Sequence, residues 1–237
     1  SGSTAPSKLI PYTKSLMKEF QKGIGPWIYD MYTNRKQLMF GNAYWSITPM
    51  SKVWNSSKSK ISIGFEDDAE YFGLPQMILL NSLFAVPRDV SKIEDTETFR
   101  YVTLLFLLKN KNLTFISIWS PTFLTLLFES FIEWSNFLIK DIENGTINSP
   151  KEIRPDLKKQ LLRKLSRDKN RAKEIEQIIN KWKNKKSKLN FLYQGIWPKL
   201  SLISCWIDSN SANYVQDLRI IFPRVEIQGK GLIARLY

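Results

Sequence analysis

Leu113-Thr114-Phe115-Ile116-Ser117-Ile118-Trp119-Ser120-Pro121-Thr122-Phe123, near the middle of a chain of 237 residues, reads as a strand handing over to a helix. Its first seven residues are rich in β-formers. Ser120 is a preferred N-cap type, and Pro121 is the favoured first helical residue, since its missing N–H would find no partner there anyway. Phe123, Leu127, Phe131, Trp134 and Leu138 then recur on one helical face to about Ile142, and Asn144-Gly145 ends the run. A second unit of this kind follows downstream. Leu200 to Ile207 reads as a strand, Ser209-Asn210 as the cap of a helix from about Ser211 to Ile220, and Val225-Glu226-Ile227 as a short strand after Pro223. A strand, helix and strand of these lengths imply parallel neighbours joined by a right-handed crossover. The expected class is α/β.

Working outward, the N-terminal stretch from Ser1 to about Thr48 holds a hydroxyl-rich loop, a strand end at Leu9 to Thr13, and an amphipathic helix from Lys14 to Phe20. It closes on the aromatic-rich Ala43-Tyr44-Trp45-Ser46-Ile47-Thr48-Pro49. Ile61 to Asp89 contains Ile63-Gly64-Phe65-Glu66-Asp67-Asp68-Ala69-Glu70-Tyr71-Phe72-Gly73, followed by an apolar run to Val86. The most apolar region, Tyr101 to Leu108 and then Leu113 to Phe128, is interrupted by Lys109-Asn110-Lys111-Asn112. Each half falls short of the roughly 20 residues that a membrane helix needs, and a buried strand and helix account for it better. With no secretory pattern at the start, the expectation is a cytoplasmic protein without a membrane segment.

Composition narrows the chemistry. At 43% hydrophobic, with eight Trp, nine Tyr and fourteen Phe, the chain can bury a sizeable core. It has no histidine, which removes Ser-His-Asp and Cys-His hydrolase chemistry and every His-containing zinc site. The lone Cys205 excludes an internal disulfide and a multi-cysteine metal site, and reads as a buried, reduced thiol. The formal net charge is +13 and is concentrated. Residues 151–190 hold fifteen Lys/Arg against five Asp/Glu, a net of +10. Leu157, Leu161 and Leu165 form one helical stripe there, and Ile175, Ile178, Ile179 and Trp182 form another. A basic helical pair docked by these stripes, its charged faces in water, is favoured over a nucleic-acid-binding module, because the segment has one aromatic and no nucleic-acid motif.

Two motifs offer chemistry. Ser1-Gly2-Ser3-Thr4-Ala5-Pro6-Ser7-Lys8 suits a nucleotide phosphate: Gly2 allows close backbone approach, hydroxyls and amides can donate, and Lys8 brings positive charge. Its spacing is neither that of a P-loop nor that of a dinucleotide loop, and alone it reads equally as a flexible terminus. Gly229-Lys230-Gly231 closes the last strand, where α/β proteins place ligand loops. As a lone tripeptide it reads better as a turn bearing a surface lysine.

Taken together and in order, Ser1 to Thr13, Tyr44 to Pro49, Ile63 to Gly73, Ser117 to Gly145 and Ile196 to Ala234 resemble the acyl-acid amido synthetases of the Gretchen Hagen (auxin-responsive promoter) type, in their bacterial form. The resemblance spans nearly the whole chain. It implies a multilayered acyl-adenylate-forming (firefly luciferase-like) large domain, with residues 1–237 as part of it. It implies ATP and Mg2+ as cofactors, and a carboxylic acid and an amino acid as substrates. A carboxylate would attack the α-phosphate of ATP to give an acyl-adenylate and pyrophosphate, and an amine would then displace AMP. On the matching positions, Ser1, Gly2, Ser3, Thr4 and Lys8 would meet the ATP phosphates, and Gly229, Lys230 and Gly231 the adenylate and acyl pocket. No residue is assigned as catalytic, and none as a metal ligand. Where the family continues with a small hydroxyl residue and a glutamate, this chain reads Arg235-Leu236-Tyr237. The expectation is therefore an internal fragment lacking the extreme N-terminal segment and the small C-terminal domain. An inactive remnant is the remaining alternative.

Overall fold

The computed structural model describes residues 14–46, 84–185, 188–208 and 210–230. Helix α1 (Lys14–Asn34) precedes strand β1 (Asn42–Trp45). Helix α2 (Thr96–Lys109), strand β2 (Leu113–Ser117) and helix α3 (Pro121–Asn144) follow. Three helices come next: α4 (Pro155–Lys164), α5 (Lys169–Asn184) and α6 (Leu189–Ile196). The described chain closes with β3 (Leu202–Cys205), α7 (Ser211–Ile221) and β4 (Glu226–Gly229).

The four strands form one sheet in the order β1-β2-β3-β4, and every pair is parallel. The register aligns Trp45 with Ser117, Ser117 with Ser204, and Ser204 with Gln228. Since side chains alternate between the faces of a strand, this row shares one face. Ala43, Phe115 and Leu202 lie on that same face and pack with Met31 of α1 and Leu38 in a small cluster. The opposite face carries Tyr44, Ile116, Ile203 and Cys205 into the large cluster, which takes in buried residues of α2 through α7. At its centre Phe128, Tyr193, Trp197 and Phe222 pack ring on ring, with Phe128 at 4.7 Å from Tyr193 and 5.3 Å from Phe222 between centroids. Trp197 Nε1 donates to Leu107 O at 2.9 Å and Tyr193 Oη donates to Phe128 O at 2.9 Å, so the polar ends of both rings are satisfied inside the core.

The β2–α3 unit forms as its residues predict. Pro121 opens the helix, Gly145 closes it at φ 70, and Leu127, Phe131 and Leu138 are buried. Ser120 occupies the N-cap without a side-chain hydrogen bond, and so does Asn210 at the start of α7. Both helices are held by their apolar faces rather than by these caps. Tyr101 to Leu108 belongs to α2, and its residues are buried all round. Continuous burial erases the periodicity that separates a helix from a strand. The helix expected over Lys14 to Phe20 runs on to Asn34, through Pro26. The basic segment folds as α4 and α5, whose Leu157, Leu161, Ile175 and Ile179 are buried while most of their lysines are exposed. No described helix is long and apolar enough to cross a membrane.

Candidate functional site

The carboxyl ends of the four strands are laced together just beyond the ladder. Ser46 N donates to Ser117 O at 2.8 Å, and Ile118 N to Ser204 O at 2.9 Å. Trp206 N donates to Trp119 O at 2.9 Å, and Lys230 N to Cys205 O at 2.8 Å. Residues two apart return to the same face, so Trp119 follows Ser117, Trp206 follows Ser204, and Lys230 follows Gln228. An indole-rich shelf results, with Trp119 and Trp206 at 5.4 Å between centroids. Trp27 of α1 packs edge-on against Trp45 at 5.6 Å and donates Nε1 to Gln228 Oε1 at 3.2 Å, which ties α1 to both edges of this face.

Lys230 lies on this shelf. Although it is a lysine at a strand end, it exposes only 9% of its surface. Its Nζ donates to Ser117 Oγ at 2.8 Å, and it stands 4.6 Å from the centre of the Trp119 ring and 5.4 Å from that of Trp45. The side chain thus starts on β4 and places its ammonium at β2 and β1. An ammonium over an indole face is attracted by the ring quadrupole by about 0.5–2 kcal/mol, more as water is excluded. The reading of Gly229-Lys230-Gly231 as a turn with a surface lysine is therefore overturned: the indoles draw the charge inward. Gly229 serves the opposite face, where it pairs with Cys205. A Cβ there would lie 2.6 Å from Ile207 Cδ1 and 2.8 Å from Ile207 Cγ1.

Two buried polar atoms on this shelf, Ser204 Oγ and Trp206 Nε1, have no hydrogen-bond partner among the described residues. Such atoms cost about 1–3 kcal/mol each if left unmade, so they mark where an incoming acceptor would gain. Cys205, on the other face, is fully buried. Burial pushes its thiol up to about 11, against the opposing pull of the Lys230 charge, so it stays protonated at neutral pH and offers no thiolate nucleophile. Among the described residues no group of three His, Cys, Asp or Glu side chains is gathered to hold a metal ion. The shelf therefore offers a fixed cation, hydroxyls, an indole N–H and flat apolar walls. That set suits an anionic oxygen, carboxylate or phosphate, joined to an apolar body.

Of the residues singled out from sequence, Lys230 sits on this shelf, and Gly229 lies beside it on the strand with its α-carbon substituent position toward the opposite face. Ser1, Gly2, Ser3, Thr4, Lys8 and Gly231 lie outside the described residues, as does Ile63 to Gly73. Trp45, Ser117, Trp119, Ser204 and Trp206 were not singled out. Their signal was present: in a parallel sheet, polar or indole residues spaced by two at a strand's carboxyl end mark a ligand edge.

The model of the GH3 family N-terminal domain matches residues 1–227. No curated protein matches the chain. Among solved structures, "GH3.15 acyl acid amido synthetase" matches with a TM-score of 0.71 at 17% identity, over 93% of this chain and 38% of that one. "AtGH3.15 acyl acid amido synthetase in complex with 2,4-DB" matches with a TM-score of 0.69 at 17% identity, over 96% and 38%. The chain thus spans well under half the length of these structures, and the likeness is one of fold, a mixed α/β body with a parallel sheet.

Proposed function

Because the chain belongs to the GH3 family, we propose that it is the part of an ATP-dependent acid–amino acid ligase that binds the acid and the nucleotide. The reaction has two halves. A carboxylate oxygen attacks the α-phosphate of ATP and pyrophosphate leaves, which yields an acyl-adenylate. The nitrogen of an amino acid then attacks the acyl carbon, loses its proton, and AMP departs with the bonding pair. Both halves move negative charge across a phosphate or carbonyl oxygen, so fixed cations and donors at that point lower the barrier. Neither half requires histidine, and the chain has none.

The observation that carries this reading is the Lys230 ammonium, fixed by Ser117 and two indole faces at the carboxyl edge of a parallel sheet. That is where open α/β sheets receive their ligands. In this reading Lys230 faces the acid's carboxylate or the α-phosphate, and Gly229 lets β4 close against Ile207 behind it. Ser1, Gly2, Ser3, Thr4 and Lys8 supply donors and charge to the phosphates of ATP, and Gly231 contributes to the adenylate and acyl pocket. For Mg2+ the described residues gather no carboxylate set, and no step here is routed through the metal. The substrates are a carboxylic acid and an amino acid.

Acid-dependent exchange of labelled pyrophosphate into ATP by the full-length protein tests the first half-reaction. Exchange that depends on an added carboxylic acid, and that falls at least tenfold in Ser3→Ala and in Lys8→Ala, is the expected result. No exchange across a broad panel of aromatic and aliphatic acids would overturn the assignment. Exchange that survives both substitutions unchanged would remove the phosphate-loop role alone.

A further inference from the structure

We infer that Ser204 and Trp206 are specificity-determining residues: together they read a neutral hydrogen-bond acceptor on the body of the carboxylic acid. The substrate class is then a flat acid that carries such an acceptor, an ether or carbonyl oxygen or a ring nitrogen, in preference to its hydrocarbon counterpart. This deepens the ligase reading and rests on it.

A strand in the middle of a parallel sheet is buried on both faces and favours apolar residues throughout. In β3, Leu202, Ile203 and Cys205 follow that rule, and Ser204 breaks it while exposing none of its surface. Its register partner on β2, Ser117, has a use, since its Oγ receives the Lys230 ammonium at 2.8 Å. Ser204 Oγ has no hydrogen-bond partner among the described residues, and neither has Trp206 Nε1, two residues on and on the same face. A buried hydroxyl left unpaired costs stability that alanine would not, and phenylalanine would supply an aromatic wall without a stranded N–H. Two such atoms on one strand, at the carboxyl edge where parallel sheets receive ligands, answer to a ligand and not to the core.

The chemistry of the pair selects among ligands. An indole N–H only donates, whereas a hydroxyl donates or accepts. Neither carries charge, so together they match a neutral acceptor better than a phosphate, whose strong partners are cations. Their surroundings are flat and apolar, with the Trp119 and Trp206 rings 5.4 Å apart and inclined at 55°. Trp206 is half-buried, so its ring borders the open side of the shelf, and it is the group that turns for a ligand to reach both atoms. A site with polar groups of its own rejects an analogue lacking the matching atom far more strongly than an apolar pocket rejects a missing methylene. Of the two ligands of the first half-reaction, the acid is the one that must be told from such analogues.

The test compares isosteric pairs of acids with the full-length protein. Benzoic and phenylacetic acids substituted with methoxy are set against those with ethyl, and acetyl against isopropyl, at each ring position. In acid-dependent pyrophosphate exchange, kcat/KM for the acceptor-bearing acid of at least one pair should exceed that of its partner by about tenfold or more. Ser204→Ala and Trp206→Phe should each reduce that ratio severalfold, with KM for ATP unchanged. A second arm does not depend on turnover. Ser204→Ala removes an unpaired buried hydroxyl, so the melting temperature of the ligand-free protein should stay the same or rise. The further rise on adding the preferred acid should be smaller in either variant than in the original. Where Trp206→Phe does not fold, Ser204→Ala alone decides. Equal kcat/KM within every pair, or a ratio that both variants leave intact, overturns the inference while leaving the ligase assignment standing. So does a change in KM for ATP in place of the acid, or a Ser204→Ala protein that melts well below the original. Failure of the unmodified protein to exchange pyrophosphate with any acid removes the ligase assignment, and the inference with it.

Discussion

Replacing Asp141 by alanine should cost about 4–6 kcal/mol of stability, and the structure shows how that figure is composed. The carboxylate is fully buried near the end of α3 and accepts four hydrogen bonds. Oδ2 takes Tyr101 Oη at 2.7 Å and Asn148 N at 2.8 Å. Oδ1 takes Thr146 Oγ1 at 2.6 Å and Asn148 Nδ2 at 2.6 Å. Thr146 and Asn148 are exposed, so water replaces the lost carboxylate, and their bonds contribute roughly 1 kcal/mol each. The Tyr101 hydroxyl sits on a side chain only 1% exposed and would be stranded, which adds about 1–3 kcal/mol. Burial first, and then the hydrogen bond to Asp141, raise the Tyr101 pKa, so the phenol is a donor at neutral pH. Urea unfolding at constant m should report the loss. Asp141→Asn, which keeps one acceptor oxygen and lets Asn148 turn its amide, should lose about 1–2 kcal/mol. Tyr101→Phe added to Asp141→Ala should cost at least about 1 kcal/mol less than the two single losses together, since the stranded hydroxyl is then gone. Strict additivity, or an alanine variant within 0.5 kcal/mol of the parent, would refute the accounting.

Gly145→Ala should destabilise by about 1–2 kcal/mol in the same assay, because its φ of 70 disfavours a side chain and a Cβ would lie 2.9 Å from Arg167 N. Gly41→Ala should cost about 1–3 kcal/mol for a different reason: its backbone is ordinary and extended, but a Cβ would stand 2.3 Å from Asn112 O and 2.2 Å from Thr114 Cγ2. Asp95 caps α2, and its hydrogen bond from Lys151, followed by that from the Thr98 amide, holds its carboxyl at about 2. The stabilisation it gives is complete above pH 4 and is lost as pH falls through about 2. Asp95→Asn, still a good cap, should therefore flatten the acid limb of the stability curve by about 1 kcal/mol. Cys205 should react with a maleimide at pH 8 at least about a hundredfold more slowly in the native protein than in urea, given its raised pKa and complete burial. Rapid native labelling would contradict the packing around β3.

The βα units were legible because Ser120-Pro121 and Asn144-Gly145 are local signals that stand close to the chain's own stereochemistry. Helix α2 was not, since Tyr101 to Leu108 is buried on every side and burial removes the contrast that periodicity needs. Helix α6 went unread for a related reason: Leu189 to Ile196 is only eight residues long and adjoins a lysine run. In the candidate site, Gly229 and Lys230 were legible from their position at a strand end. The inward course of Lys230 was not, because it depends on Trp45 and Ser117, which are far away in sequence and are brought together only by strand register.

The described helices that follow β1, α2 to α7, all send buried side chains into the large cluster on one face of the sheet. One consequence concerns which parts of the polypeptide are at liberty to diverge. The stretch between β2 and β3 accommodates α3 to α6, with the positively charged pair among them, wholly behind the strands. Changes of charge on the exposed faces of α4 and α5 lie away from the tryptophan-lined front. Evolution could then remodel the rear of such a protein for solubility or assembly while its chemistry stayed as it was.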